Sequence, residues 1–231
     1  MLGLKSVADR TVSSSGGLLR RLLGGNSPSR KNLVASSARP SSVLRKNGKP
    51  LAQRKTSKSW LVFDTETTGI WRKHDPVGVV QVAAILFDSS GRELDAFVSL
   101  VDPEHSIPHE ATRVHGITDG DVYGAPSRQE IAKALRPLFK QASFVVAHNA
   151  SFDALAAEWI GIRHSSWVCT MGMAHSQTGG KWPRLEEAAD ACSIRIELKR
   201  MHDAEYDARI AAKIYIALKE EGVADHGGFW R

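Results

Sequence analysis

The chain changes character near residue 60, and that break decides how much of it can fold. The first 60 residues carry 13 Lys and Arg against a single acid, Asp9, a net of +12. They also carry 12 serines and few large apolar side chains beyond Leu18, Leu19, Leu22 and Leu23. Such a segment cannot bury enough apolar surface to offset the entropy of ordering, so residues 1–58 are expected to form a disordered basic arm. The remainder nets −6, so the overall +6 averages two unlike pieces and describes neither surface. With 42% hydrophobic residues over 231 positions, the body has enough apolar material for a core. Two cysteines, Cys169 and Cys192, exclude a disulfide framework. No apolar run approaches the roughly 18 residues that a membrane span needs. The nearest, residues 77–87, is interrupted by Gly78 and Gln81.

Two functional readings of the arm stay open. Abundant Arg and Ser, almost no acid, and Leu18-Leu19-Arg20-Arg21-Leu22-Leu23 as a short amphipathic turn fit an organelle transit peptide. That reading implies a mitochondrial or other organellar location. The same charge suits a nucleic-acid-binding arm, or a solvated extension, on a cytoplasmic or nuclear protein.

Periodicity organises the body. Residues 59–63 are β-rich and end at Asp64, which predicts a buried strand. Residues 77–87 and 94–101 predict two more, joined by the turn Asp88-Ser89-Ser90-Gly91. Residues 126–141 show helical spacing at Ile131, Leu135 and Leu138. A strand at 143–147 precedes a helix at 150–160, and a short helix is expected at 185–192. The longest helical pattern, 203–221, places Ala208, Ala211, Ile214, Tyr215 and Leu218 on one side. A hairpin sheet followed by strand–helix alternation predicts a mixed-sheet α/β domain over residues 59–222, with a short tail at 223–231.

Three segments carry the chemistry. In Asp64-Thr65-Glu66-Thr67-Thr68-Gly69, the period of a strand puts Asp64 and Glu66 on one face. Two adjacent carboxylates repel unless a proton or a cation neutralises them. A hard divalent ion with oxygen ligands suits such a pair. In His148-Asn149-Ala150-Ser151-Phe152-Asp153, Asn149 or Ser151 could cap the next helix, and Asp153 in its first turns also suits the helix dipole. In His202-Asp203-Ala204-Glu205-Tyr206-Asp207, Asp203 suits a cap, Asp207 falls one turn into the last helix, and His202 precedes it. A histidine beside a carboxylate-held cation can take a proton from an attacking water.

Taken together and in this order, the segments resemble the DEDDh 3′→5′ exonucleases, the epsilon-like proofreading family of the RNase H-like superfamily. Its D-x-E-T-T-G stands here at Asp64 to Gly69, its H-N-x-x-F-D at His148 to Asp153, and its H-x-A-x-x-D at His202 to Asp207. The stretch Val114-His115-Gly116-Ile117-Thr118 is similar to another family segment. The likeness spans about residues 59–221. It implies an RNase H-like mixed sheet flanked by helices, and two Mg²⁺ or Mn²⁺ ions per site. By the same resemblance Asp64, Glu66 and Asp207 hold one ion. Asp64 also holds the second, supported by Asp153, and His202 is the general base. Thr67, Thr68 and Gly69, with His115, His148 and Asn149, are implied to touch the terminal nucleotide. For His115 a turn-forming role is an equal alternative. The implied substrate is a single-stranded nucleic acid with a free 3′ end, DNA favoured, cut to nucleoside 5′-monophosphates. An RNA-trimming enzyme of the same family, or a catalytically idle nucleic-acid or polymerase-docking module, are the alternatives.

Outside the motifs, Trp71-Arg72-Lys73-His74 and Lys181-Trp182, with Arg184, offer aromatic and basic groups that can stack on a strand or stay as loop anchors. Cys169, His175 and Cys192 lack structural zinc spacing. The bacterial proofreading subunit carries a C-terminal polymerase tether; only residues 223–231 follow the last predicted helix here. That favours a stand-alone exonuclease, in repair or RNA trimming, over a stable replicase subunit; a DNA polymerase or repair partner and a homodimer both stay open, and no membrane is expected. The transit reading predicts that N-terminal sequencing of protein from its native cell begins beyond the arm; an intact Met1 in the mature protein contradicts it.

Overall fold

The computed structural model describes residues 58–71 and 77–227. The arm expected at 1–58 therefore lies outside the described residues except for Lys58, as do Arg72, Lys73, His74 and the end of the tail. Among the described residues, five strands form one sheet in the order β3-β2-β1-β4-β5. Strand β1 (Ser59–Thr67) pairs antiparallel with β2 (Val79–Phe87), which pairs antiparallel with β3 (Glu93–Leu100). On its other side β1 pairs parallel with β4 (Ala142–Ala147), and β4 pairs parallel with β5 (Trp167–Cys169). This is the mixed sheet with flanking helices of the RNase H-like fold.

Alternation along β1 assigns its residues to two cores. Leu61 and Phe63 point to one face of the sheet, where they join a cluster with Ile131, Leu135, Ala156 and Ile160. These come from helices α3 (Arg128–Gln141) and α4 (Ala150–Ile160). Trp60 and Val62 point to the other face and pack with Ala188, Ala208, Ala211 and Ile214. Those belong to α6 (Leu185–Ala191) and α7 (Ala204–Glu220). Continued two residues at a time, the same parity turns Asp64 and Glu66 toward α7 and Thr65 toward α4. The five residues expected on one side of α7 are all buried.

Strand β1 runs on through the acidic motif to Thr67 rather than ending at Asp64. Pairing with β2 continues there, and Thr65, Glu66 and Thr67 are all buried. Helix α3 starts two residues later than its periodicity suggested, because Ser127 and Glu130 close a capping box. Helices α1 (His109–His115), α2 (Asp119–Val122) and α5 (Thr170–Met173) and strand β5 were not anticipated. Each is seven residues or fewer, too short to show a period. Gly78 precedes β2 where a Cβ would come within 2.5 Å of the Pro103 carbonyl oxygen, so the chain crosses Pro103 only as glycine. Cys169 and Cys192 are free thiols, the first buried and the second partly so.

Leu61 is fully buried in the central strand. Its truncation to Ala should cost about 2–5 kcal/mol of unfolding free energy, read from urea melts. A loss well below that range would contradict this account of the core.

Candidate active site

The three motif segments meet at one end of the sheet. Asp64 and Glu66 arrive on β1, and Asp153 sits in the first turn of α4, just beyond the end of the parallel neighbour β4. Asp207 sits in the first turn of α7, against the face to which Asp64 and Glu66 point. The charges of Asp153, Glu66, Asp207 and Asp203 all act on Asp64.

Their electrostatics reflect burial and mutual repulsion. Burial, then its acidic neighbours, hold the Asp64 carboxyl well above the usual carboxylate range. Burial, followed by the charges of Asp207, Asp153 and Asp203, pushes Glu66 up to about 8. Burial pushes Asp153 to about 8, although the Thr65 hydroxyl donates to its Oδ1 at 3.1 Å and pulls the other way. Asp207 is raised to about 6, again chiefly by burial, with the backbone amide of His202 opposing. Without a cation, this cluster must keep protons to persist.

The donor set fits a divalent ion. Glu66, His202 and Asp207 each present a ligand atom within 4.8 Å of one another. Asp207 Oδ2 accepts from the His202 amide at 2.9 Å, while Oδ1 is buried and has no hydrogen-bond partner among the described residues. A buried carboxylate oxygen left in that state is costly unless something positive meets it. His202 itself is exposed and stands at φ +66, a left-handed conformation that costs a non-glycine residue about 1–2 kcal/mol. The strain falls on the residue expected to act as base.

The expected substrate contacts divide. His115 comes close enough for the charge of His202 to affect it. Burial is the main cause of its lowered pKa. Its Nδ1 accepts from the Ile117 amide at 3.0 Å, which leaves the ring proton on Nε2. The Thr67 backbone, to which the ring is bound, pulls the pKa the other way. Gly69 borders open space, with nothing within 4 Å of where a Cβ would sit. Thr68, by contrast, is engaged in the protein: its amide donates to the Gly78 carbonyl, and its hydroxyl accepts from the Gly78 amide and meets His105 at 3.0 Å. The Thr67 hydroxyl donates to the Gly69 carbonyl.

His148 departs from the expected role. Its Nδ1 meets the Thr170 hydroxyl at 2.9 Å and its Nε2 the Pro183 carbonyl at 3.0 Å. Burial drives its pKa down to about 4, so the ring is neutral at pH 7, and its two nitrogens tie the end of β4 to the start of α5 and to the loop before α6. Neither nitrogen is left to meet a ligand. Asn149 holds the N-cap position of α4 at φ +68, but its side chain makes no capping bond. Instead its Oδ1 accepts from the Ser151 hydroxyl. Trp182 packs on His175 with ring centres 4.5 Å apart, and Arg184 pairs with Glu186 and Glu187. Those contacts are what a loop anchor makes.

Three residues of the site were not anticipated. Thr65 orients Asp153, and Asp203 adds charge to the cluster besides capping α7 through the Tyr206 amide. Gln81 lies on β2 directly opposite Glu66. The alternation of β1 would have pointed to Thr65; Gln81 depends on strand pairing and Asp203 on where α7 packs.

Comparison with known proteins places this geometry. The profile of the RNase_T family, described as "Exonuclease", matches residues 61–215. The chain is 32% identical over 192 residues to the uncharacterized exonuclease CP81 of Escherichia phage 186, covering 73% of this chain and 94% of that protein. It is 39% identical over 99 residues to a DNA polymerase III subunit epsilon-like protein of Rhodobacter capsulatus, covering 41% of this chain but only 13% of that protein. Among solved structures, exonuclease X in complex with 5′ overhanging duplex DNA superposes with a TM-score of 0.55 at 25% identity, over 70% of this chain and 92% of that one.

The raised carboxyls set a pH dependence. A group whose pKa is higher folded than unfolded stabilises the fold fully at low pH and loses that contribution as pH rises through the folded value. For Glu66 and Asp153 that window runs from about 4 to about 8. Cations compete with those protons, so their hold strengthens over the same window. Thermal melts in chelator should therefore show Tm falling between pH 5 and 9, and Mn²⁺ should raise Tm more at pH 8 than at pH 5. A Mn²⁺ effect that is equal at both would contradict the account.

Proposed function

Because the chain belongs to the RNase_T exonuclease family, and is thereby a metal-dependent nuclease of the hydrolase class, we propose that it removes nucleotides from the 3′ end of single-stranded nucleic acid, DNA favoured, releasing nucleoside 5′-monophosphates. The observation that carries this reading is the convergence of Asp64, Glu66, Asp153 and Asp207 from three separate segments on one partly buried cluster with His202 at its rim. DNA is favoured because the superposed exonuclease X was captured with DNA and the Rhodobacter relative is named for a DNA polymerase subunit. The latter name also makes a DNA polymerase a candidate partner.

The residues divide the work. Asp64, Glu66 and Asp207 would hold one Mg²⁺ or Mn²⁺, and Asp64 with Asp153 a second. Such a pair, when bound, neutralises the carboxylates and stabilises the attacking and leaving oxygens of an in-line phosphodiester displacement. His202 accepts the proton of the attacking water through its exposed ring, while its own amide steadies Asp207. Thr65 fixes the rotamer of Asp153. His115, bound to the Thr67 backbone beside the acidic motif, would line the place of the terminal nucleotide. Open space at Gly69 lets that nucleotide approach the backbone. The arm outside the described residues, at +12, would add salt-sensitive attraction for a strand if it is retained.

Digestion of a single strand labelled at either end tests the reading. With Mg²⁺ or Mn²⁺, a 5′ label should yield a ladder shrinking from the 3′ end, and a 3′ label should leave at once as a mononucleotide. His202→Ala should lower kcat by about 10²–10⁴-fold, and Asp64→Ala should abolish the ladder. Wild-type activity in Asp64→Ala, or cleavage that starts at the 5′ end, would sink the proposal.

A further inference from the structure

Gln81 takes no part in the chemistry above, yet its strand position is directly opposite Glu66 in the β1–β2 register. Its amide reaches across to the start of α7 with both of its ends. Oε1 accepts from the Ala204 backbone amide at 3.0 Å, and Nε2 donates to Asp203 Oδ2 at 3.2 Å. The other Asp203 oxygen accepts from the Tyr206 amide at 2.9 Å. These bonds fasten the first turn of α7 to β2. That turn carries Asp207, and its N-cap Asp203 follows directly on His202, whose amide is bound to Asp207. One neutral side chain therefore joins the strand pair bearing Glu66 to the helix start bearing Asp207 and His202.

We propose that Gln81 is a positioning residue that sets the spacing between Glu66 and the Asp207–His202 pair, and thereby the affinity of the site for divalent cations. The inference rests on the reading that these residues hold such cations. The chemical demand at position 81 is specific. The side chain must accept from a backbone amide and donate to a carboxylate at the same time, with no charge of its own in an acidic cluster. Leucine does neither. Glutamate can accept from Ala204 but offers Asp203 a second negative charge in place of a donor. Exchanging the two chemistries, with Gln81→Glu and Asp203→Asn together, restores a carboxylate–amide pair with donor and acceptor reversed. It also keeps an oxygen at position 203 for the Tyr206 amide.

Mn²⁺ titration of the full chain, followed by calorimetry and by the electron paramagnetic resonance of free Mn²⁺, tests this without relying on turnover. Gln81→Leu and Gln81→Glu should each weaken Mn²⁺ binding about tenfold or more. Cleavage should then need correspondingly more Mn²⁺, while KM for the oligonucleotide at saturating Mn²⁺ stays put. The double variant should recover most of the lost affinity. A folded Gln81→Leu that binds Mn²⁺ like the wild type would overturn the proposal. So would a double variant no better than Gln81→Glu alone, which decides the matter even where Gln81→Leu fails to fold. Wild-type protein that binds no Mn²⁺ would instead overturn the catalytic reading on which this one stands.

Discussion

Repulsion among acids that the fold refuses to separate governs this molecule. Asp64, Glu66, Asp153 and Asp207 are close enough that burial and one another's charge raise the pKa of the first two well above the carboxylate range. A protein gains nothing in stability from gathering such groups. Their arrangement makes sense as a device for attracting divalent cations, and through these a phosphodiester that the bare carboxylates would repel. The hydrogen bonds around the site hold the acids in place against that repulsion: Thr65 on Asp153, the His202 amide on Asp207, and Gln81 on the start of α7.

Sheet geometry explains how segments so far apart in sequence meet. Alternation on β1 sends Leu61 and Phe63 into one core and Trp60 and Val62 into the other. The same alternation divides the motif: the acids face α7, and Thr65 faces α4. Parallel pairing of β1 with β4 then sets the start of α4, and Asp153 with it, beside the end of β1. The two cores thus hold apart the two helices whose first turns complete the site.

Much of this was legible in the sequence because it depends on local periods. The strand parity of Asp64 and Glu66, the core face of α7 and the hairpin at Asp88 to Gly91 all follow from spacing within a few residues. What was not legible depends on contacts between distant segments. Gln81 read as an interruption in an apolar run, and its bonds to Asp203 and Ala204 span more than 120 positions. His148 stands in one motif with Asp153, yet its ring is consumed by Thr170 of α5 and Pro183 of the loop before α6, whose return no local pattern announces. Asp203 read as a helix cap, which it is; that it also charges the cluster depends on where α7 lands.

The central claim is that cations and protons compete for one set of carboxylates. Calorimetric titration with Mn²⁺ at pH 7, repeated in buffers of different ionisation enthalpy, counts the protons displaced. Glu66 and Asp153, each pushed to about 8, should still hold protons at that pH. Binding should then release about one proton or more per molecule at pH 7 and almost none at pH 9.5. Mn²⁺ binding with no proton released at pH 7 would contradict the account.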